Sequence, residues 1–253
     1  MIDSRTSVIN ERLAGISRII AVSSGKGGVG KSMVATTLAL TLAHKGCKVG
    51  LFDLDFTSPS THIILGAKNI HPKEEKGLVP PLIHGLTFMS LVYFVGENPT
   101  PLRGIDVSNA FIELLAITQW GSLDFLIIDM PPGIGDAILE LVRLVKRVEF
   151  LIITTSSLLA FETVKKQVAL LCELKLPVIG IIENMKTDQA RGILVETESL
   201  GLNYLGSIPF DPNVEIAIGE KSKLLRTDIG KKIHQIVARN ILFEKRANED
   251  GLH

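Results

Sequence analysis

Gly25-Lys26-Gly27-Gly28-Val29-Gly30-Lys31-Ser32 satisfies the spacing G-x-x-x-x-G-K-[ST], and reading it decides the fold. Glycines at these positions let the backbone curl until successive N–H groups face one concavity. Lys31 then reaches the outer phosphates of a nucleotide, and the Ser32 hydroxyl is placed to bind Mg²⁺. The expected cradle is therefore Gly25, Lys26, Gly27, Gly28, Val29, Gly30, Lys31 and Ser32, with Met33 beside the phosphates. The motif needs a strand leading in and a helix leading out. Residues 16–24 (ISRIIAVSS) read as a buried parallel strand and residues 33–44 (MVATTLALTLAH) as a helix, which is that setting.

Outward from the loop, apolar runs alternate with helical patterns. Strands are expected at 48–52, 125–128, 150–154, 178–182 and 204–208, with helices near 106–119, 134–147, 158–174 and 190–200. This alternation predicts an α/β fold, a mostly parallel sheet with helices on both faces, in one domain spanning 1–253. The stretch 67–101 interrupts it. Lys73-Glu74-Glu75-Lys76, a cluster of prolines and a hairpin-like pair across His84-Gly85 give that stretch the character of a surface insertion.

Two acidic strand ends complete a nucleotide site. Leu123-Asp124-Phe125-Leu126-Ile127-Ile128-Asp129 is an apolar strand closing on a carboxylate suited to a Mg²⁺ shell, and Gly133 just beyond it can bring a backbone N–H to the terminal phosphate. Val49-Gly50-Leu51-Phe52-Asp53-Leu54-Asp55 places two carboxylates at another strand's carboxyl end, where open α/β sheets bind ligands. One of the pair can orient an attacking water while its neighbour supports the metal.

Composition narrows the partners. With 27 Lys+Arg against 27 Asp+Glu the chain has no bulk charge bias, so nucleic acid is not an expected partner. The polar, acid-containing N-terminal stretch MIDSRTSVINERLAG is unlike a targeting peptide. No run approaches the ~18 apolar residues of a membrane span, and a cytoplasmic protein is expected. Cys47 and Cys172 each sit in an apolar context and are expected to be buried thiols. His62, His71 and His84 lack acidic or thiol partners at ligand spacing, which favours surface or packing roles. The segment 229–246 reads two ways. Its apolar stripe beside Lys231, Lys232, Arg239, Lys245 and Arg246 fits either a membrane-surface helix or a terminal helix packed on the sheet; Glu244, Glu249 and Asp250 dilute the charge and favour packing.

With its extra Lys26, the loop GKGGVGKS resembles the deviant Walker A of the MinD/ParA/nitrogenase-iron-protein class. Further segments resemble the Mrp (ApbC-like) ATPases within that class: DLDFTSPS at 53–60, WGSLD at 120–124, IDMPPGIGD at 128–136, ENM at 183–185 and LGSIPFDP at 205–212. The resemblance implies an ATP- and Mg²⁺-dependent homodimer in which Lys26 of each subunit reaches the phosphates bound by the other. It places Asp55 on the attacking water and Asp53 and Asp129 with Ser32 around the metal. It also places Asn184 with the 209–211 loop, Pro209 and Asp211 included, at the adenine.

Mrp-type proteins are associated with carrying iron–sulfur clusters on a Cys-x-x-Cys that follows the ENM turn. Here the turn continues Lys186-Thr187-Asp188-Gln189-Ala190-Arg191, without cysteine. The expectation is thus a switch ATPase that works on a protein client or a cluster-assembly partner and holds no cluster alone. The alternative is a MinD/ParA-like spatial switch attaching to a membrane or scaffold. Met33, Ser58 and Ile134 depart from the residues usual in relatives.

Overall fold

The computed structural model describes residues 5–56, 58–95, 105–187, 191–240 and 243. Its strands, in chain order, are β1 (Ile16–Ser23), β2 (Val49–Asp53), β3 (Lys73–Glu74), β4 (Leu78–Val79), β5 (Leu82–Ile83), β6 (Leu86–Ser90), β7 (Leu123–Asp129), β8 (Val148–Thr154), β9 (Val178–Lys186) and β10 (Tyr204–Pro209). Eight of them form one sheet in the order β10-β9-β8-β1-β7-β2-β6-β5. Every pairing in that sheet is parallel except β5 with β6.

The strands are apolar on both sides because both faces are covered. Alternate residues of one strand point to opposite faces. Ile19 and Ala21 of β1 therefore join one core with Leu126, Ile128, Phe150 and Ile152. Ile20 and Val22 join a second core with Phe125, Ile127, Leu151 and Ile153. The helices Arg5–Ala14, Ile105–Ile117, Asp136–Leu144 and Leu158–Glu173 contribute to the first core; Lys31–His44 and Asp228–Arg239 contribute to the second. At the edge away from the phosphate loop, Arg18 makes a two-pronged ion pair with Glu149 at 2.8 and 2.9 Å and lies 5.7 Å from the Phe125 ring centre.

Three expectations meet a different structure. Within the stretch read as a surface insertion, Leu86–Ser90 is a strand of the main sheet, parallel to β2, with Leu86, Phe88 and Met89 fully buried. The first arm of the hairpin-like pair expected across His84-Gly85, residues 78–83, is split. Leu78–Val79 pairs with Lys73–Glu74, leaving only Leu82–Ile83 opposite β6.

Cys172 is exposed and Cys47 half-buried, in contrast to the expected burial of both. The helix Leu158–Glu173 buries Ala160, Phe161, Val164, Gln167, Val168 and Leu171, and the next position, Cys172, is turned about 100° away from that stripe. Apolar context alone does not fix helix phase.

The C-terminal helix runs Asp228–Arg239. Thr227 caps it, its hydroxyl accepting from the Gly230 N–H at 3.3 Å, and Ile229, Ile233, Ile236 and Val237 are buried. Its apolar stripe is thus spent on the core, as the packed-helix reading has it. Residues 244–246, 249 and 250, invoked in that reading, lie outside the described residues, as do Thr57 and part of the 67–101 stretch. No helix among the described residues is long and apolar enough to cross a membrane.

Candidate nucleotide-binding site

Three strand ends converge at one edge of the sheet. Val22 of β1 is in register with Asp129 of β7, and Asp129 with Asp53 of β2, so the loop that follows β1 starts beside both acidic ends. That loop turns through two left-handed residues, Gly28 (φ 78°) and Gly30 (φ 76°), before the helix Lys31–His44 begins. A Cβ on Gly30 would collide with the Asn184 side-chain amide, and one on Gly25 with Thr163 of the neighbouring helix. Gly30→Ala is expected to lower stability by about 1–2 kcal/mol from backbone strain alone, and to weaken ADP binding at least tenfold by spreading the loop. Thermal melts and a calorimetric ADP titration check this; unchanged ADP affinity would mean that Gly30 does not set the cradle.

Lys31 is 5% exposed and is held between two carboxylates, Asp129 Oδ1 at 2.5 Å and Asp55 Oδ2 at 3.7 Å. Asp129 has no exposure, and burial pushes its carboxyl up to about 7 even though Lys31 and the Ser32 hydroxyl act in the opposite direction. Its second oxygen, Oδ2, has no hydrogen-bond partner among the described residues. A buried acceptor left open beside a phosphate loop suits a cation or its bound water.

Asp53 differs. Burial raises its pKa too, but its oxygens accept from the Thr61 hydroxyl at 2.6 Å, the Thr61 N–H at 3.3 Å, the Asp55 N–H at 3.1 Å and the Ser90 hydroxyl at 3.4 Å. Asp53 is thus tied to the backbone of Asp55 and to Thr61 and Ser90, whereas Asp129 keeps one oxygen open. Asp55 is 6% exposed and its Oδ1 accepts from the Ser58 N–H at 3.2 Å, which holds the carboxylate at the cleft wall.

The remaining residues fall around a cleft of about 660 Å³ lined by the loop, Met33, Asp55, Asn184, Pro209, Phe210 and Asp211. Asn184 is 3% exposed and donates its amide to the Val29 carbonyl at 2.9 Å, tying the end of β9 to the phosphate loop. Asp211 accepts from Asn213 and from the Asp228 N–H at 2.8 Å, and these bonds hold its carboxyl below the usual range. Lys26 is exposed on the loop.

The Gly133 N–H, expected to face the terminal phosphate, instead donates to the Ser24 carbonyl at 2.8 Å. To serve a phosphate it must leave that bond. No group of three His, Cys, Asp or Glu side chains able to hold a metal occurs among the described residues.

Sequence reasoning missed the supporting residues. Thr61 and Ser90 fix Asp53, Gln167 donates to the Ser23 hydroxyl beneath the loop, and buried Glu183 accepts from Ser156 and Tyr204, both at 2.6 Å. Only Glu183 carried a signal, as the first residue of ENM.

The family described as ParA: NUBPL iron-transfer P-loop NTPase matches residues 15–242. An iron-sulfur cluster carrier protein of Aquifex aeolicus is 38% identical over 220 residues, covering 81% of this chain and 60% of its own length. The chloroplastic Fe-S cluster assembly factor HCF101 of Oryza sativa is 43% identical over 178 residues, 69% of this chain and 33% of its own. The chain thus spans three fifths or less of these relatives. Among solved structures, an Archaeoglobus fulgidus nucleotide-binding protein in complex with ADP is 31% identical with a TM-score of 0.75, covering 87% of this chain and 92% of its own. The Pyrococcus furiosus cell division ATPase MinD shares the fold at a TM-score of 0.64 and 21% identity, over 88% and 98% of the two chains.

Proposed function

The chain belongs to the ParA/NUBPL iron-transfer P-loop NTPase family, and from that premise we propose that it is a dimeric ATPase switch serving iron–sulfur cluster assembly in the cytoplasm, with no cluster ligands of its own. The observation that carries the proposal is Lys31, on a phosphate loop after the central strand, held by Asp129 on one side and Asp55 on the other. The reaction is ATP and water to ADP and phosphate.

On binding, the γ-phosphate draws Lys31 off Asp129, exchanging one anionic partner for another. Asp129 and Ser32 are then free to hold Mg²⁺, which when bound neutralises charge on the β- and γ-phosphates. Asp55, fixed through Asp53, Thr61 and Ser90, orients the attacking water. Asn184 and the 209–211 loop close on the base. Phosphoryl transfer asks mainly for such positioning and electrostatics.

Lys26 is assigned to the facing subunit. Its exposure on the loop supports that, since a lysine serving its own site would be drawn inward as Lys31 is. Lys26→Ala is expected to keep ATP affinity within about threefold but to lose ATP-dependent dimers and turnover. Light scattering with and without ATP decides it, and normal dimers in the variant would remove the trans role.

The cluster claim rests on sequence. No cysteine follows residues 183–185 of β9 before Arg191, and the two cysteines of the chain, Cys47 and Cys172, lie one just before β2 and one on the outer face of a helix. Cluster ligation needs thiolates that converge. Anaerobic reconstitution is expected to give no stoichiometric iron and sulfide on this chain alone, while ATP-dependent transfer proceeds with a cysteine-bearing partner. A brown, oxygen-labile species lost in Cys172→Ser would overturn the claim.

A further inference from the structure

A second cleft, of about 960 Å³, shares no lining residue with the nucleotide cleft. It forms where the C-terminal end of the helix Lys31–His44 meets the segment 219–226, with its short helix Lys221–Leu224, and the first turns of Asp228–Arg239. The two clefts adjoin: Ile218 and Ile229 line the nucleotide cleft, and their neighbours Gly219 and Gly230 line this one.

The lining is rich in nitrogen donors. His44, His84, Lys221, Arg226, Lys231 and His234 face it, and Glu220 is its one carboxylate, paired with Lys223 at 2.6 Å. Lys221 donates to the His84 carbonyl at 2.9 Å and Lys231 pairs with Asp228 at 3.3 Å. Among the described residues the side chains of His44, Arg226 and His234 have no such partner. A second observation is independent of charge. Thr41 also lines this cleft, is 1% exposed, and its hydroxyl has no hydrogen-bond partner among the described residues. Thr36 and Thr37 of the same helix also lack a partner among the described residues, and of the three Thr41 is the one on the cleft wall.

We propose that this cleft binds a compact polyanion carrying at least two phosphate or carboxylate groups. A guanidinium fork, two imidazoles and a hydroxyl are all donors to oxyanions, and Arg engages such groups in two-pronged fashion. They come from separate elements, Thr41 and His44 from one helix, His234 from another and Arg226 from the turn before it, so a ligand with two anionic ends engages them together. The volume lies within the range of small-molecule sites, ~300–1,000 Å³.

The test uses the full chain saturated with ADP, so that the phosphate loop is occupied, and titrates inorganic pyrophosphate or citrate by calorimetry. The imidazole NMR signals of His44 and His234 are followed in parallel, because they report on this cleft whether or not ADP is bound. The expected result is a saturable 1:1 site that moves both signals and is weakened at least tenfold in Arg226→Ala and in His234→Gln. Pyrophosphate alone binding assigns the site to phosphate esters, and both binding assigns it to polyanions at large. Absence of a saturable shift at both histidines overturns the proposal, as does affinity unchanged in His234→Gln and Arg226→Ala. Far-UV circular dichroism of each variant separates lost binding from lost folding.

Discussion

Lys31→Ala is expected to lose nucleotide affinity by more than ~100-fold, about 3 kcal/mol, and to lose stability as well. The first effect follows from its place at the end of the loop, where among the described residues it is the one buried cation within reach of both Asp129 and Asp55. The second follows from burial. Removing one partner of a buried ion pair leaves the other uncompensated, typically ~3–5 kcal/mol.

The cost depends on pH in a defined direction. Burial already raises the Asp129 carboxyl to about 7 against the opposing pull of Lys31, so deleting Lys31 raises it further. A carboxyl whose folded value lies above its unfolded one contributes stability fully at acid pH, below the unfolded value, and loses it as pH rises through the folded value. The deficit of Lys31→Ala in melting temperature is therefore expected to widen from pH 6 to pH 9. A deficit that narrows over that range would mean that Asp129 is not the group left unpaired.

Asp55→Ala is expected to behave in the opposite way toward nucleotide, retaining ATP while hydrolysis falls more than ~100-fold, the scale of losing a water-orienting group. Asp55 touches Lys31 only at 3.7 Å, whereas Asp129 holds it at 2.5 Å, so its removal leaves the lysine anchored. The variant should persist as an ATP-bound dimer, read by light scattering and by retained radiolabelled ATP after gel filtration. Hydrolysis at the parental rate would move the water-orienting role to another residue. Asp53→Asn offers a contrast: Thr61 and Ser90 still find an acceptor there, and the expected defect is milder than that of Asp55→Ala.

The sheet and its central site were legible because they rest on short-range rules. Apolar runs with β-branched residues marked β1, β7, β8 and β9, and the glycine spacing fixed where β1 had to turn. What escaped depends on distant parts of the chain. Leu86–Ser90 looked peripheral because prolines and a charged run precede it, yet pairing with β2 buries it. The surroundings of Asp53 were not legible either: Thr61 and Ser90, which donate to it, come from 8 and 37 residues away. The engagement of Gly133 with Ser24 and the outward turn of Cys172 likewise depend on packing angles that no local pattern encodes.

The position of β1 bears on how the protein is made. Its two neighbours are β7 and β8, so Ile20 pairs with Ile127 and Glu149, more than a hundred residues downstream. A ribosome adding ~5–20 residues per second needs roughly 5–25 s to deliver them. Throughout that interval β1, buried along nearly its whole length in the folded protein, and the phosphate loop after it lack their two neighbouring strands. Such distant closures make folding slow and leave sticky intermediates. The loop can take its shape only once residues near 150 have emerged, so ATP cannot template the early chain, and truncations ending before β8 are expected to engage chaperones rather than nucleotide.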